Sequence, residues 1–88
     1  MNRSTTQIMA DVLSITKESD RNGIGVTKLC HKSNLSHSRL LRFIGRLTAS
    51  GLMNIQFGKN YVITKNGILF LEQYKLLCDF AESYGLEI

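Results

Sequence analysis

Apolar residues recur along this chain with two different periods, and the alternation between them lays out the elements. From Ser4 to Glu18, Ile8, Met9, Val12, Leu13 and Ile15 fall at three- and four-residue spacings, which predicts an amphipathic helix. Ser4 or Thr5 supplies its N-cap, and Asp20-Arg21-Asn22-Gly23 is turn chemistry that ends it. Ile24-Gly25-Val26 is long enough for one or two strand pairs at most. Thr27 then caps a short helix over Lys28–Ser33, with Leu29 and Cys30 turned inward. Ser33-Asn34 breaks the pattern, and Leu35 stands alone as an apolar anchor. Ser36 caps a third helix from His37 to Ser50, whose inward set is Leu40, Phe43, Ile44 and Leu47. Gly51 follows as its left-handed terminator.

The period then changes to that of strands. Leu52–Phe57 and Tyr61-Val62-Ile63 flank a turn at Gly58-Lys59-Asn60, which predicts a hairpin. Thr64 caps a last helix over Lys65–Tyr84, stopped by Gly85. Two short helices about a tight turn, followed by a two-stranded hairpin, predict a mainly α fold of winged helix-turn-helix type with an extended C-terminal helix. Residues 1–64 form the expected core and 65–88 the terminal helix of what is overall one domain, as expected for 88 residues.

The terminal helix carries more apolar surface than one small domain covers. Phe70, Tyr74, Leu77, Ala81 and Tyr84 follow heptad spacing, while Ile68, Leu69, Leu71, Leu76 and Phe80 occupy other sides. A helix apolar over much of its circumference is buried on more than one side. The first stripe is therefore expected to pair with a second copy of the chain in a homodimer.

Charge changes the picture more than composition does. The net charge is +4, but the distribution is uneven. Between Arg21 and Lys65 stand eight basic residues and no Asp or Glu, whereas Asn66–Ile88 sets four acids against Lys75 alone. An acid-free cationic block suits a polyanion, since carboxylates there repel phosphate. On the third helix Arg39, Arg42 and Arg46 share one outward face, and Ser36, His37 and Ser38 stand at its N-terminal end. A helix fits the major groove of DNA, and arginine reads guanine with two hydrogen bonds. Lys28 and Lys32 on the preceding helix suit phosphate. Lys59 and Asn60 put a basic tip on the wing, residues 57–61, within reach of flanking phosphates or the minor groove. The competing reading is a solvated basic face without a nucleic-acid partner, the domain serving as a protein-interaction module. RNA binding fits less well: Tyr61 is the one candidate for base stacking.

Other chemistries find no support. No GxSxG, HExxH or P-loop pattern is present, and Gly23-x-Gly25 is too short for a nucleotide loop. An enzyme is not expected, nor a cofactor or small-molecule ligand. Cys30 and Cys78 lack metal-type spacing, with or without His31 and His37, and are expected as reduced thiols. No apolar run is long enough for a membrane span, and Met1–Gln7 is polar, so a cytoplasmic protein is expected.

Leu35-Ser36, Leu40, Phe43-Ile44, Leu47 and Gly51-Leu52, followed by Tyr61-Val62-Ile63-Thr64-Lys65-Asn66-Gly67, resemble small archaeal winged-helix proteins, in particular the ten-a DNA-binding proteins of Sulfolobus and related archaeal regulators. The resemblance spans nearly the whole chain. It implies an archaeal origin, duplex DNA binding as a transcriptional regulator or chromatin-associated protein, and pairing of the last helix in an antiparallel coiled coil. By matching position it makes His37, Arg39, Arg42 and Arg46 groove-facing residues and Lys59 the wing contact. Phe43 stands where tyrosine is common in that group, and the last helix is shorter than the group's long coiled coils.

Overall fold

The computed structural model describes residues 3–87, so the ends of both expected segments (1, 2 and 88) lie outside the described residues. Seven elements follow in order: α1 Thr5–Glu18, β1 Ile24–Gly25, α2 Val26–Ser33, α3 His37–Ala49, β2 Met53–Gln56, β3 Asn60–Ile63 and α4 Lys65–Ser83. This is the winged helix-turn-helix arrangement expected from the periodicity.

Each helix starts and stops where local chemistry directs. Ser4 Oγ accepts from Gln7 N while Gln7 Oε1 accepts from Ser4 N, a complete capping box at the start of α1. The second helix begins at Val26, two residues earlier than a Thr27 cap implies. Gly25 is its N-cap and gives no side-chain bond. The cause is the sheet: Ile24 and Gly25 pair with Tyr61 and Asn60, so the chain passes from strand directly into helix. Asn34 closes α2 in the left-handed conformation, φ 58°. The region tolerates asparagine better than most residues.

The two-stranded hairpin gains β1 as a third strand, giving the order β1-β3-β2, all antiparallel. The wing also differs from expectation at its tip. Asn60 is not a turn residue but the first residue of β3, opposite Gln56. Its side-chain amide donates to Asn22 O at 3.0 Å and so ties the hairpin to the loop before β1. The turn comprises Phe57, Gly58 and Lys59, with Lys59 N donating to Gln56 O at 3.3 Å. Phe57 and Gly58 both have positive φ, 55° and 72°.

Ile8, Val12 and Leu13 of α1 meet Ile24, Leu29, Leu35, Leu40, Ile44, Leu47 and Met53 in one core. Phe43, Tyr61, Ile63, Phe70 and Leu71 lie half-buried around it. The first half of α4 thus closes the same core as the other helices. Leucines 13, 29, 40 and 47 are wholly enclosed, each worth about 2–3 kcal/mol relative to exposure.

The end of α3, the root of the wing and the start of α4 meet at one backbone junction. Thr64 N donates to Leu52 O at 3.2 Å, Thr64 Oγ1 donates to Gly51 O at 2.6 Å, and Gly67 N donates back to Thr64 Oγ1 at 3.0 Å. Gly67 lies against the Leu52 carbonyl so closely that a Cβ has no room. The far end of α4 stops on Gly85, φ 72°, where Leu86 N donates to Ala81 O at 2.8 Å. This is the six-to-one closure of a Schellman turn. Among the described residues, Cys30 and Cys78 are free thiols and no helix is long and apolar enough to cross a membrane.

Candidate nucleic-acid interface

The cationic surface is built on α3. Leu40, Ile44 and Leu47 fix its inner side, and Ser36 fixes its start, accepting from Arg39 N at 3.3 Å. With the inner side anchored, Arg39, Arg42 and Arg46 are exposed together. Arg39, Arg42, Phe43 and Arg46 line one cleft with Thr5, so the first turn of α1 forms its opposite bank. Partial positive charge at a helix N-terminus adds there to the guanidinium charges.

Among the described residues the ion pairs are Arg3–Asp11, at 2.9 Å, and Lys75–Asp79, at 3.2 Å. The α3 arginines therefore keep their charge uncompensated. At about 100° per residue, Arg42 lies almost opposite the middle of the buried side, while Arg46 and Arg39 stand roughly 50° and 70° round from straight outward. Ser38, Gly45 and Ala49 surround Arg42 on the outermost ridge, all exposed. A Cβ on Gly45 would meet nothing within 4 Å, so no contact within the fold requires glycine there. Small residues along this ridge leave its backbone open to close approach.

The remaining sequence-predicted residues take distinct places. Lys28 and Lys32 are exposed on α2, where Thr27, Lys28, His31 and Lys32 line one shallow surface. His37 and Ser38 are exposed in the first turn of α3. Lys59 is exposed at the wing tip, and Asn60 is half-buried with its amide held by Asn22. On α4 the stripe Phe70, Tyr74, Leu77, Ala81 and Tyr84 divides. Phe70 packs on the core, Tyr74 lines the groove between α1 and α4, and Ala81 is buried. Leu77 and Tyr84 remain open, joined by Leu69, Leu76 and Phe80. The division arises because α4 presents adjacent apolar arcs, and α1 covers only one.

Two features escape sequence reasoning. Arg3 donates to Asp11 Oδ2 at 2.9 Å and to Ser33 O at 3.0 Å, clamping the start of α1 to the end of α2 just before the turn into α3. No periodic signal marks a lone arginine ahead of a helix. Phe57, assigned by its apolar character to a strand, stands instead on the wing tip, 78% exposed.

The winged helix-turn-helix family pattern matches residues 2–82, and the chain belongs to that family. In fold it is similar to the crystal structure of Sso10a-2, a DNA-binding protein from Sulfolobus solfataricus. The TM-score is 0.75 at 21% identity, over 93% of this chain and 85% of that one. No curated protein matches the sequence.

Proposed function

We propose that the chain binds double-stranded DNA, with α3 in the major groove, α2 on the neighbouring backbone and the wing on flanking phosphates or the minor groove. The observation that carries this reading is the arginine face of α3, exposed and without a carboxylate partner, inside a segment free of Asp and Glu from Arg21 to Lys65. The fold shared with a protein described as DNA-binding supports it. The test is a titration of mixed-sequence duplex at low and moderate salt. With about four phosphates engaged per subunit, the log–log slope is near −3.6 per subunit. An affinity indifferent to salt contradicts the reading. Titrating genomic fragments beside the mixed-sequence duplex separates a transcriptional regulator from a chromatin-associated protein, by the ratio of specific to non-specific affinity.

We also propose a homodimer through the open arc of α4. Leu76, Phe80 and Tyr84 are 62%, 63% and 68% exposed, and Leu69 and Leu77 extend the arc along the helix. An apolar stripe of this width is what a packed helix turns to its neighbour. A two-fold pair would set two α3 helices on successive major grooves, about 34 Å apart. Sedimentation should give a dimer for the wild type and a monomer for Leu76→Glu. A monomeric wild type that co-purifies with another protein and ignores DNA supports the adaptor reading instead.

A further inference from the structure

We propose that Phe57 is an apolar wedge for duplex DNA, its ring entering a base step from the minor groove at the tip of the wing; this rests on the DNA-binding reading above. Phe57 is the most exposed of the large apolar side chains described, and its backbone is in the left-handed region. Both circumstances are unfavourable for phenylalanine, and the fold's packing does not require that residue there. A turn whose two central residues have positive φ is best made by Asn-Gly, and here Phe-Gly occupies those places. Phe57 is absent from the core and from the half-buried shell around it. A bulky residue held in a rare conformation points to a role outside the fold's own packing.

The surroundings select the occupant. Gly58 has open space about it and Lys59 is exposed beside it, so the tip is narrow and cationic. No acid lies between Arg21 and Lys65, so the wing itself carries no carboxylate to repel phosphate. Behind the tip, alternation along β2 puts Met53 and Ile55 on one face, buried at the root and 52% exposed further out, and half-buried Tyr61 pairs with Ile55. The wing behind the tip thus carries apolar surface of its own, suited to sugar and base edges. A phenylalanine wedge of this kind partly unstacks a step and kinks the duplex by about 20–90°. Pyrimidine–purine steps unstack most readily, so the wing favours them without any base hydrogen bond.

The chain contains no tryptophan, so Phe57→Trp reports on this site alone. Its emission should be quenched when mixed-sequence duplex is added. A set of duplexes, each with one 2-aminopurine at a different position, should brighten at one or more positions with the wild type and at none with Phe57→Ala. Phe57→Ala should bind on the order of tenfold more weakly. Phe57→Gly, freed of the backbone penalty, should melt higher than the wild type while sharing the binding loss, which separates wedge from fold. Duplex that binds the wild type and Phe57→Trp alike but leaves the variant's tryptophan emission and the 2-aminopurine emission unchanged overturns the wedge and spares the DNA-binding reading. Failure of the wild type to bind duplex under low salt removes both, and quenching by a protein partner but not by DNA reassigns the tip.

Discussion

Replacing Arg42 by alanine separates base reading from charge. All three arginines line the cleft that Thr5 closes, but Arg42 stands nearly straight out from α3 beside Ser38, Gly45 and Ala49, whereas Arg46 and Arg39 stand roughly 50° and 70° round from straight outward. A helix lowered into the major groove brings its outermost ridge nearest the bases and its flanks nearest the phosphate walls. Arg42→Ala should therefore remove a bidentate guanine contact worth about 1–3 kcal/mol, or roughly 5- to 150-fold in affinity for a preferred site. Binding to scrambled duplex should fall far less, and the salt slope should hardly move. Arg46→Ala should do the opposite, weakening all sequences alike and flattening the slope by about 0.9 per subunit. Fluorescence anisotropy against selected and scrambled duplexes, across a range of salt, reads both quantities. Arg42 is exposed and unpaired, so its removal should change stability by no more than about 0.5 kcal/mol, which a thermal melt checks. If Arg42→Ala lowers affinity equally for every sequence and flattens the slope, Arg42 is a phosphate contact and the geometric assignment is wrong. An unaltered affinity removes α3 from the interface altogether.

Gly45→Ala should stabilise the fold by about 1 kcal/mol, since alanine is the better helix former and its methyl meets nothing. That is roughly 4–8 °C in Tm for a domain of this size. Gly67→Ala should lower Tm, at a loss of about 1–3 kcal/mol, because the added methyl runs into the Leu52 carbonyl and lies 2.6 Å from Ile63 Cγ1. Burial, then the neighbouring Cys78 thiol and Asp11 carboxylate, hold the Tyr74 phenol above its ordinary 10.0. The native state therefore favours the neutral phenol. Its contribution is intact below pH 10 and lost as pH rises through the raised native value. Urea unfolding at a series of alkaline pH values should show a shallower decline for Tyr74→Phe than for the wild type.

Much of this architecture is legible in the order of the residues. The spacing of Ile8, Val12 and Leu13, or the four- and three-residue steps of Leu40, Ile44 and Leu47, has one helical solution that hides them together, and the structure adopts it. The arginine face follows from the same arithmetic, since fixing the inner side of α3 fixes its outer side. Less legible is whatever depends on a partner distant in the chain. Gly25 as a cap and Asn60 as a strand residue both result from β1 pairing with β3, across more than thirty residues. The α4 stripes are ambiguous from spacing alone: Phe70–Tyr74–Ala81 and Leu69–Leu76–Phe80 are equally periodic, and only the placement of α1 decides which is covered. Phe57 reads as a strand residue because hydropathy carries no record of φ.

The knot of hydrogen bonds among Gly51, Leu52, Thr64 and Gly67 bears on how the proposed dimer would measure out a DNA site. With no slack between the end of α3 and the start of α4, the element proposed to touch DNA and the element proposed to touch its mate move as one piece. Such a pair behaves as a caliper with a locked opening. In the proposed dimer, half-sites at the one spacing that matches this opening, about one helical turn, would be gripped together. Inserting half a turn between them would put the second site on the far side of the duplex, beyond the reach of a pair braced at this junction.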